Sequence, residues 1–176
     1  MTVIFLAGVH GVGKGHLGAL VSTGLSVRHL TASQLIREER VRESWGKDKF
    51  VTDVDDNQRA LIQAIERLRD SRQALLLDGH FVLRAPNGDF IRLEAGVFSA
   101  LKLSGVVLLH EEADRIAVRL LQRDGVHTTP DSIRALAAEE ETHAREVCGI
   151  LSIPLAVLVS PTEISLTDAI RRLVDK

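Results

Sequence analysis

A glycine-rich segment, G-V-H-G-V-G-K-G, occupies residues 8–15 and directly follows an apolar run at residues 2–7. This order predicts a buried β-strand, a tight loop and the start of a helix. Such a loop points backbone N–H groups at an anion, the helix adds the positive end of its dipole, and a lysine adds a mobile cation. The sequence therefore predicts binding of a nucleoside triphosphate, ATP, by the loop and its neighbours: Gly8, His10, Gly11, Val12, Gly13, Lys14, Gly15 and His16.

Two positions depart from the general form of this motif, in which Ser or Thr follows the lysine and holds Mg²⁺. Gly15 stands at that position, and His16 follows it. We therefore expect another side chain to hold Mg²⁺. The alternative interpretation is a glycine-rich turn with an incidental lysine. The next residues favour a phosphate loop and a true helix, because Leu17, Leu20 and Val21 recur at helical spacing.

Composition restricts the ligand and the compartment. The 176 residues suit one domain, and 45% hydrophobic with 26% charged residues is typical of a globular protein. A net charge of −2 gives no basic surface for nucleic acid or for an anionic membrane. Cys148 is the only cysteine, and the sequence has neither a leader pattern nor a long apolar run, so we expect a cytoplasmic location. The spacing of the histidines does not predict a zinc site.

Apolar, β-branched runs alternate with segments of helical period. The runs lie at residues 2–7, 25–30, 74–77, 105–109 and 153–159. Strands that alternate with helices predict a parallel sheet covered on both faces. The expected fold class is therefore α/β, a three-layer P-loop NTPase fold with a five-stranded parallel sheet and helices on both faces.

Apolar stripes and capping residues predict where the connecting helices lie. The predicted helices span residues 55–72, 111–123, 129–147 and 163–174. Thr129 and Pro130 suit a helix N-terminus, and Gly24 is expected to end the helix after the glycine loop. Pro-Asn-Gly-Asp at residues 86–89 predicts a turn, as at the tip of a short hairpin.

Two strongly polar segments, residues 37–56 and residues 123–131, follow the second and the fourth predicted strands. Ligands of open α/β sheets bind at the C-terminal ends of the strands. Both segments are therefore candidate moving covers of the site. Trp45 lies in the first of them, and we interpret it as an anchoring apolar contact rather than a ligand contact.

Asp78 follows the apolar run of residues 74–77, so its carboxylate is expected at the C-terminal edge of that strand. The glycine loop lies at the same edge of the sheet. Mg²⁺ often uses only one or two protein carboxylates and keeps its waters, which makes Asp78 the candidate magnesium ligand. The alternative is an aspartate that caps the turn beginning at Gly79.

Arg115, Arg119 and Arg123 recur every four residues and so share one helix face. Like charges at this spacing repel by about 0.2–0.5 kcal/mol per pair, and Glu111 can offset only Arg115. A phosphate facing the other two arginines would remove this conflict, because arginine binds phosphate through two parallel hydrogen bonds. The alternative is a solvated face with scattered ion pairs.

The order of these motifs resembles the adenylate kinase and nucleoside monophosphate kinase group. The shared features are G-x-x-G-x-G-K-G, an Arg-bearing helix, a strand that ends in Asp-Gly and an R-x-x-x-R helix entering a polar loop. Residues 75–88, L-L-L-D-G-H-F-V-L-R-A-P-N-G, resemble short archaeal-type adenylate kinases and related P-loop kinases most closely. His16 stands where that group has Thr, and the Phe-Pro-Arg expected after Asp-Gly is absent.

On the acceptor side, the resemblance implies an insert at about residues 31–73 in which Arg37 reaches the acceptor phosphate. It also implies that His80 and Arg84 face the acceptor. The alternative for Arg37 is a surface arginine beside two glutamates.

On the donor side, the resemblance implies that Arg119 lies near the base and Arg123 near the transferred phosphoryl group. Residues 123–131 would form a short lid, and Arg145 would add a transition-state cation, unless it only pairs with a glutamate of its own helix. The residues expected to be catalytic are Lys14, Asp78, Arg123 and Arg145.

These residues together predict a kinase that moves the γ-phosphoryl group of ATP, with Mg²⁺, to a small phosphorylated acceptor such as a nucleoside monophosphate. Phosphoryl transfer depends mainly on positioning and charge neutralisation, which matches this set of residues. One alternative is a non-nucleotide hydroxyl substrate with Asp78 as general base, and another is an ATP-binding switch or slow ATPase. The net charge of −2 disfavours a nucleic-acid substrate. The sequence gives no indication of the oligomeric state.

Overall fold

The computed structural model describes residues 1–44, 53–71 and 73–174. The strands are β1 Val3–Ala7, β2 Arg28–Thr31, β3 Leu75–Asp78, β4 Val82–Arg84, β5 Phe90–Arg92, β6 Gly105–His110 and β7 Leu155–Val159. The helices are α1 Lys14–Leu25, α2 Ala32–Ser44, α3 Asp53–Leu68, α4 Ala95–Leu101, α5 Ala113–Asp124, α6 Pro130–Leu151 and α7 Glu163–Val174.

Five strands form one parallel sheet in the order β2-β3-β1-β6-β7. The central strand, β1, is buried along its whole length. Its side chains alternate between two core clusters, with Val3 and Phe5 on one side of the sheet and Ile4 and Leu6 on the other. A strand covered on both faces needs consecutive apolar residues, which is why this run occupies the centre.

Helices cover both faces of the sheet. On one face α3 and α4 contribute Ile65 and Phe98 to the core. On the other face α1, α5 and α7 contribute Val21, Ile116 and Ile170. The predicted fold class, an α/β three-layer arrangement around a five-stranded parallel sheet, is confirmed.

Local turns agree with the sequence in one case and differ in another. The β4 and β5 strands form an antiparallel hairpin on either side of residues 86–89, as the turn residues predicted. The prediction that Gly24 ends α1 is wrong, because the helix continues to Leu25 and Ser26 takes the left-handed conformation with φ of 52°. The short helix α4 was not predicted.

The two polar segments follow β2 and β6, two strands of the parallel sheet whose C-terminal ends lie at the edge that carries the glycine loop. In the first segment α2 continues to Ser44 and α3 begins at Asp53, whereas Trp45 lies outside the described residues. The second segment is the end of α5 followed by a connection at residues 125–129 that leads into α6. Within the described residues, no helix combines the length and apolar character that crossing a bilayer requires.

Two glycines of α1 provide a matched test of how this helix packs. A Cβ at Gly18 would lie 2.5 Å from Nε2 of His29, whereas nothing lies within 4 Å of a Cβ at Gly24. We expect Gly24→Ala to raise the free energy of unfolding by about 0.5–1 kcal/mol, because alanine has the higher helix propensity. Gly18→Ala should lower it by about 1–3 kcal/mol, because His29 must move.

Urea denaturation of the two variants beside the wild type measures both effects. Equal stabilisation by the two substitutions would contradict the close packing of the His29 ring on α1.

Candidate active site

The glycine loop joins β1 to α1 at the C-terminal edge of the sheet. Gly8 has φ of 136°, and a Cβ there would lie 2.7 Å from the carbonyl oxygen of Leu109. Gly13, directly before α1, has φ of 114°. Residues with a Cβ rarely adopt such angles, so glycine is needed for the chain to turn from strand to helix here. This edge is where α/β sheets of this kind bind their ligands.

Three acceptors inside the protein hold the ammonium group of Lys14. Nζ donates to the carbonyl oxygens of Gly8 and Val9 and contacts Nε2 of His80 at 3.1 Å. Burial lowers the pKa of Lys14, and two nearby carboxylates oppose that change. An ammonium group has three donors, so all of them are used within the protein. A phosphate that binds Lys14 must therefore replace at least one of these contacts.

The imidazole of His80 is neutral in this arrangement. Burial, together with the charges of Lys14 and His10, lowers the pKa of His80 to about 3. Nε2 of the neutral ring therefore accepts a hydrogen bond from the ammonium group.

Asp78 ends β3 and faces the glycine loop. Oδ1 lies 3.9 Å from Nζ of Lys14, and Oδ2 lies 3.8 Å from Nε2 of His29. Within the described part of the chain neither oxygen accepts a hydrogen bond, and the N–H of Gly79 donates to the carbonyl of Leu6. The carboxylate is thus placed beside two basic side chains but keeps its lone pairs for a ligand.

Glu140, in the middle of α6, connects the glycine loop to the segment that follows Asp78. Its side chain is buried, with 1% of the residue exposed. The N–H of Gly8 donates to Oε1 at 3.3 Å, that of Phe81 to both oxygens at 3.0 Å, and that of Val82 to Oε2 at 2.7 Å. Burial raises the pKa of Glu140, and these hydrogen bonds oppose the rise. The carboxylate of Glu140 thereby sets the distance between the glycine loop, which leads to Lys14, and the segment that follows Asp78.

A cavity of about 870 Å³, here called the phosphate cavity, opens beside the glycine loop. Its lining includes most of the residues predicted to contact ATP: His10, Gly11, Val12, Gly13, Lys14, Gly15 and His16. Asp78, His80, Arg119 and Arg123 line it too. Predicted site residues from three separate parts of the chain therefore meet in one cavity. Gly8, at the start of the loop, is not among the lining residues, and its N–H donates to Glu140.

Glu111 fixes one arginine over the glycine loop. Arg119 donates through Nη2 to Oε2 of Glu111 at 3.0 Å and through Nη1 to the carbonyl of Val12 at 3.1 Å. Burial raises the pKa of Glu111, but hydrogen bonds from the N–H of Glu112, from Arg119 and from Ser160 outweigh it and hold the pKa below its ordinary value. The guanidinium of Arg119 is therefore oriented before any ligand binds.

The other two arginines of α5 differ in position. Arg123 lies at the rim of the phosphate cavity, with Nη2 at 2.8 Å from Nε2 of His10 and at 2.7 Å from Oδ2 of Asp124. Arg115 lies outside the cavity and pairs with Glu112 at 3.4 Å. The two arginines predicted to face a phosphate, Arg119 and Arg123, are thus the two arginines of α5 that line the cavity.

Three arginines predicted for the site also lie outside the phosphate cavity. Arg145 pairs with Glu141, one turn earlier in α6, at 2.6 Å. Arg84 donates to the hydroxyl of Ser132 at 2.7 Å. Arg37 is exposed on α2. The roles predicted for these arginines at the acceptor and in the transition state therefore stay predictions.

The surroundings of Asp78 suit a hydrated Mg²⁺. Its carboxylate lines the phosphate cavity, and a Cβ at Gly15 would lie 3.9 Å from Oδ2. In the described ranges, three or more His, Cys, Asp or Glu side chains do not meet in a group that could enclose a metal ion. Mg²⁺ accepts a single carboxylate together with waters and phosphate oxygens, so this donor set fits it.

Sequence reasoning missed Glu140 and His29, and it expected Glu111 to offset only Arg115, whereas Glu111 lies at 3.0 Å from Arg119 and at 3.6 Å from Arg115. The sequence did contain a signal for the burial of Glu140. This residue stands seven positions from the apolar Ile133 and seven from the apolar Val147, so it shares the buried face of the helix with them. Glu111 follows an apolar run, as Asp78 does. His29 had no comparable signal, since its position depends on packing against α1.

Truncation of Glu140 should destabilise the protein. Glu140→Ala leaves the N–H groups of Gly8, Phe81 and Val82 buried without an acceptor, and each such group costs about 1–3 kcal/mol. We expect a loss of roughly 3 kcal/mol or more in the free energy of unfolding, measured by urea denaturation. The matched control is Glu139→Ala, which removes a carboxylate that pairs with the partly exposed Arg92.

The Glu139 variant should unfold close to the wild-type midpoint. Equal losses for the two substitutions would contradict the role assigned to the buried hydrogen bonds.

Solved structures with this fold include several small kinases. The chain is similar to a gluconokinase from Sinorhizobium meliloti 1021, at 18% identity and a TM-score of 0.57, over 99% of this chain and 91% of that one. It is similar to a sugar kinase from Janibacter sp. HTCC2649, at 17% identity and a TM-score of 0.58, over 99% and 95%. A shikimate kinase from Acinetobacter baumannii in complex with shikimate gives 18% identity and a TM-score of 0.61, over 99% and 93%. At these sequence identities, the similarity shows only that this chain shares the fold of those structures.

No curated protein matches the sequence. A family profile described as an AAA domain matches residues 7–137, which run from the end of β1 into α6. The match includes Lys14, Asp78 and Arg119, and its P-loop implies that the chain binds ATP. The chain therefore belongs to this AAA domain family of P-loop proteins.

Proposed function

We propose that the protein is a kinase that transfers the γ-phosphoryl group of ATP to a hydroxyl group of a small molecule. The observation that carries this proposal is the position of Asp78, whose carboxylate lines the phosphate cavity 3.9 Å from the Lys14 ammonium and accepts no hydrogen bond from the described residues. A carboxylate held in this way is suited to accept a proton.

The proposed step forms one bond and breaks one. The acceptor oxygen attacks the γ-phosphorus, the bond between that phosphorus and the β–γ bridging oxygen breaks, and ADP leaves. The hydroxyl proton passes to the carboxylate of Asp78. Lys14 and Arg119 neutralise charge on the phosphate oxygens, and Arg123 does the same at the rim.

Asp78 and the loop would also hold Mg²⁺ through water molecules. When bound, the ion neutralises charge on the β- and γ-phosphates. His16 lines the same cavity and offers a ring N–H where related loops have a hydroxyl.

The described residues favour a hydroxyl acceptor over a phosphorylated one. Arg84, which the resemblance placed on the acceptor side, donates instead to Ser132. The similar structures are named as kinases of gluconate, a sugar and shikimate. A nucleoside monophosphate keeps one argument in its favour, because Arg37 follows Ser33 by one helical turn and Ser33 lines the phosphate cavity.

The first test is a phosphotransfer assay. The protein, ATP and Mg²⁺ are mixed with gluconate, shikimate, neutral sugars, neutral alcohols or nucleoside monophosphates, and phosphorylated product is detected by ³¹P NMR. We expect a phosphate ester of a hydroxyl compound. Asp78→Asn should lower kcat by about 100-fold or more, since it removes the base. Asp114→Asn is the matched control, because Asp114 is exposed on α5.

Three results would contradict the proposal. Release of inorganic phosphate with every acceptor would indicate an ATPase or switch, and formation of a nucleoside diphosphate would indicate a nucleotide acceptor. Equal kcat for Asp78→Asn and Asp114→Asn would exclude Asp78 as the base.

A second test concerns the donor. Arg119→Ala should weaken binding of a non-hydrolysable ATP analogue about tenfold or more, because a charge-assisted hydrogen bond contributes about 1.5–3 kcal/mol. Arg115→Ala, a change on the same helix but outside the cavity, should leave the Kd nearly unchanged. Isothermal titration calorimetry measures both constants. An equal effect of the two substitutions would remove Arg119 from the ATP site.

A further inference from the structure

A second cavity, of about 200 Å³, lies beside the phosphate cavity and is here called the apolar cavity. Its walls come from β1, α3, α4 and the hairpin, and they include Phe5, Leu61, Leu83, Val97 and Phe98. The aromatic rings pack firmly against one another, since Phe5 and Phe98 meet edge to face with centroids 5.6 Å apart. The cavity is therefore formed by side chains that are already fixed by the core.

The two cavities meet at one place. Ala32, Ser33, Gly79 and His80 line both of them. Gly79 directly follows Asp78, so the mouth of the apolar cavity lies beside the carboxylate proposed as the base. A molecule that filled the apolar cavity would present whatever protrudes from the mouth to the phosphate cavity.

The lining of the apolar cavity carries no formal charge in the described residues. No Lys, Arg, Asp or Glu is among them, and the polar side chains are Ser33, Asn57, Gln58 and His80. The ring of His80 accepts from an ammonium group, so it is uncharged as well. An anionic group inside this cavity would lose its water without gaining a cation, which is costly.

We propose that the apolar cavity binds the body of a small uncharged alcohol, with a hydrophobic ring or a branched carbon skeleton, whose hydroxyl group lies at the mouth beside Asp78. This inference rests on the proposed kinase function and names the class of its acceptor. An apolar cavity of about 150 Å³ is enough to hold benzene, so a ring with a short hydroxyalkyl arm fits the available volume. Ser33, Asn57 and Gln58 offer hydrogen bonds that orient the arm.

The test separates binding from transfer. Saturation-transfer NMR without nucleotide measures the binding of 2-phenylethanol and cyclohexylmethanol against phenylacetate and cyclohexanecarboxylate, which have the same skeletons but carry a negative charge. We expect each alcohol to bind about tenfold or more tightly than its matched carboxylate, because no described residue that lines the cavity is a cation that could pair with the anion. Binding of the carboxylates in preference would overturn the inference.

Two variants locate the binding. Val97→Trp fills the apolar cavity and should reduce alcohol binding about tenfold or more, whereas Val118→Trp, on the exposed face of α5, should leave it unchanged. Asn57→Lys keeps the cavity open but adds a cation, and it should shift the preference towards the carboxylates. The inference fails if Val97→Trp leaves alcohol binding unchanged and Asn57→Lys leaves the ratio of alcohol affinity to carboxylate affinity unchanged.

The two proposals can fail separately. Alcohols that bind as expected but give no phosphate ester with ATP and Mg²⁺ would contradict the kinase function and leave the cavity's ligand class standing. Phosphorylation of an anionic acceptor that Val97→Trp abolishes would uphold the kinase and overturn the ligand class.

Discussion

The arrangement of the site depends on one buried carboxylate. Glu140 accepts hydrogen bonds from the backbone on both sides of the cleft, from Gly8 at the start of the glycine loop and from Phe81 and Val82 after Asp78. Gly8 begins a loop and Val82 begins β4 of the separate hairpin, so neither residue belongs to the five-stranded sheet. A buried carboxylate is costly unless its lone pairs are used, and here the backbone uses them. The spacing between the Lys14 loop and the Asp78 loop is therefore a property of α6 as much as of the sheet.

Around this frame, the polar side chains are held by the protein in the absence of any ligand. Lys14 is bound by loop carbonyls and His80, and Arg119 is held by Glu111 and Val12. Such partners reduce the conformational freedom that a ligand must remove on binding. They also compete with the ligand for the same donors, so the affinity for ATP reflects an exchange of hydrogen bonds rather than a simple gain.

The sheet, the glycine loop and Asp78 were predictable because their signals are local: an apolar run, a glycine spacing, a carboxylate at the end of a strand. The contacts of Glu140 were not, since they join α6 to residues far away in the sequence, although its place on an apolar helix face was visible. Gly24 was predicted to end α1, but nothing local revealed that Ser26 would take the left-handed turn. The roles assigned to Arg37, Arg84 and Arg145 came from resemblance, and the phosphate cavity does not include these arginines.

The connection between α5 and α6 has a consequence for selectivity. Residues 125–129 can span at most about 18 Å when fully extended, and the phosphate cavity of about 870 Å³ is open to solvent. In a kinase with an open site, water competes with the acceptor hydroxyl for attack on the γ-phosphorus of ATP. Under the proposed function, the ratio of ester formation to hydrolysis would then depend on how long an acceptor stays bound, with its body in the apolar cavity and its hydroxyl at the mouth in place of water.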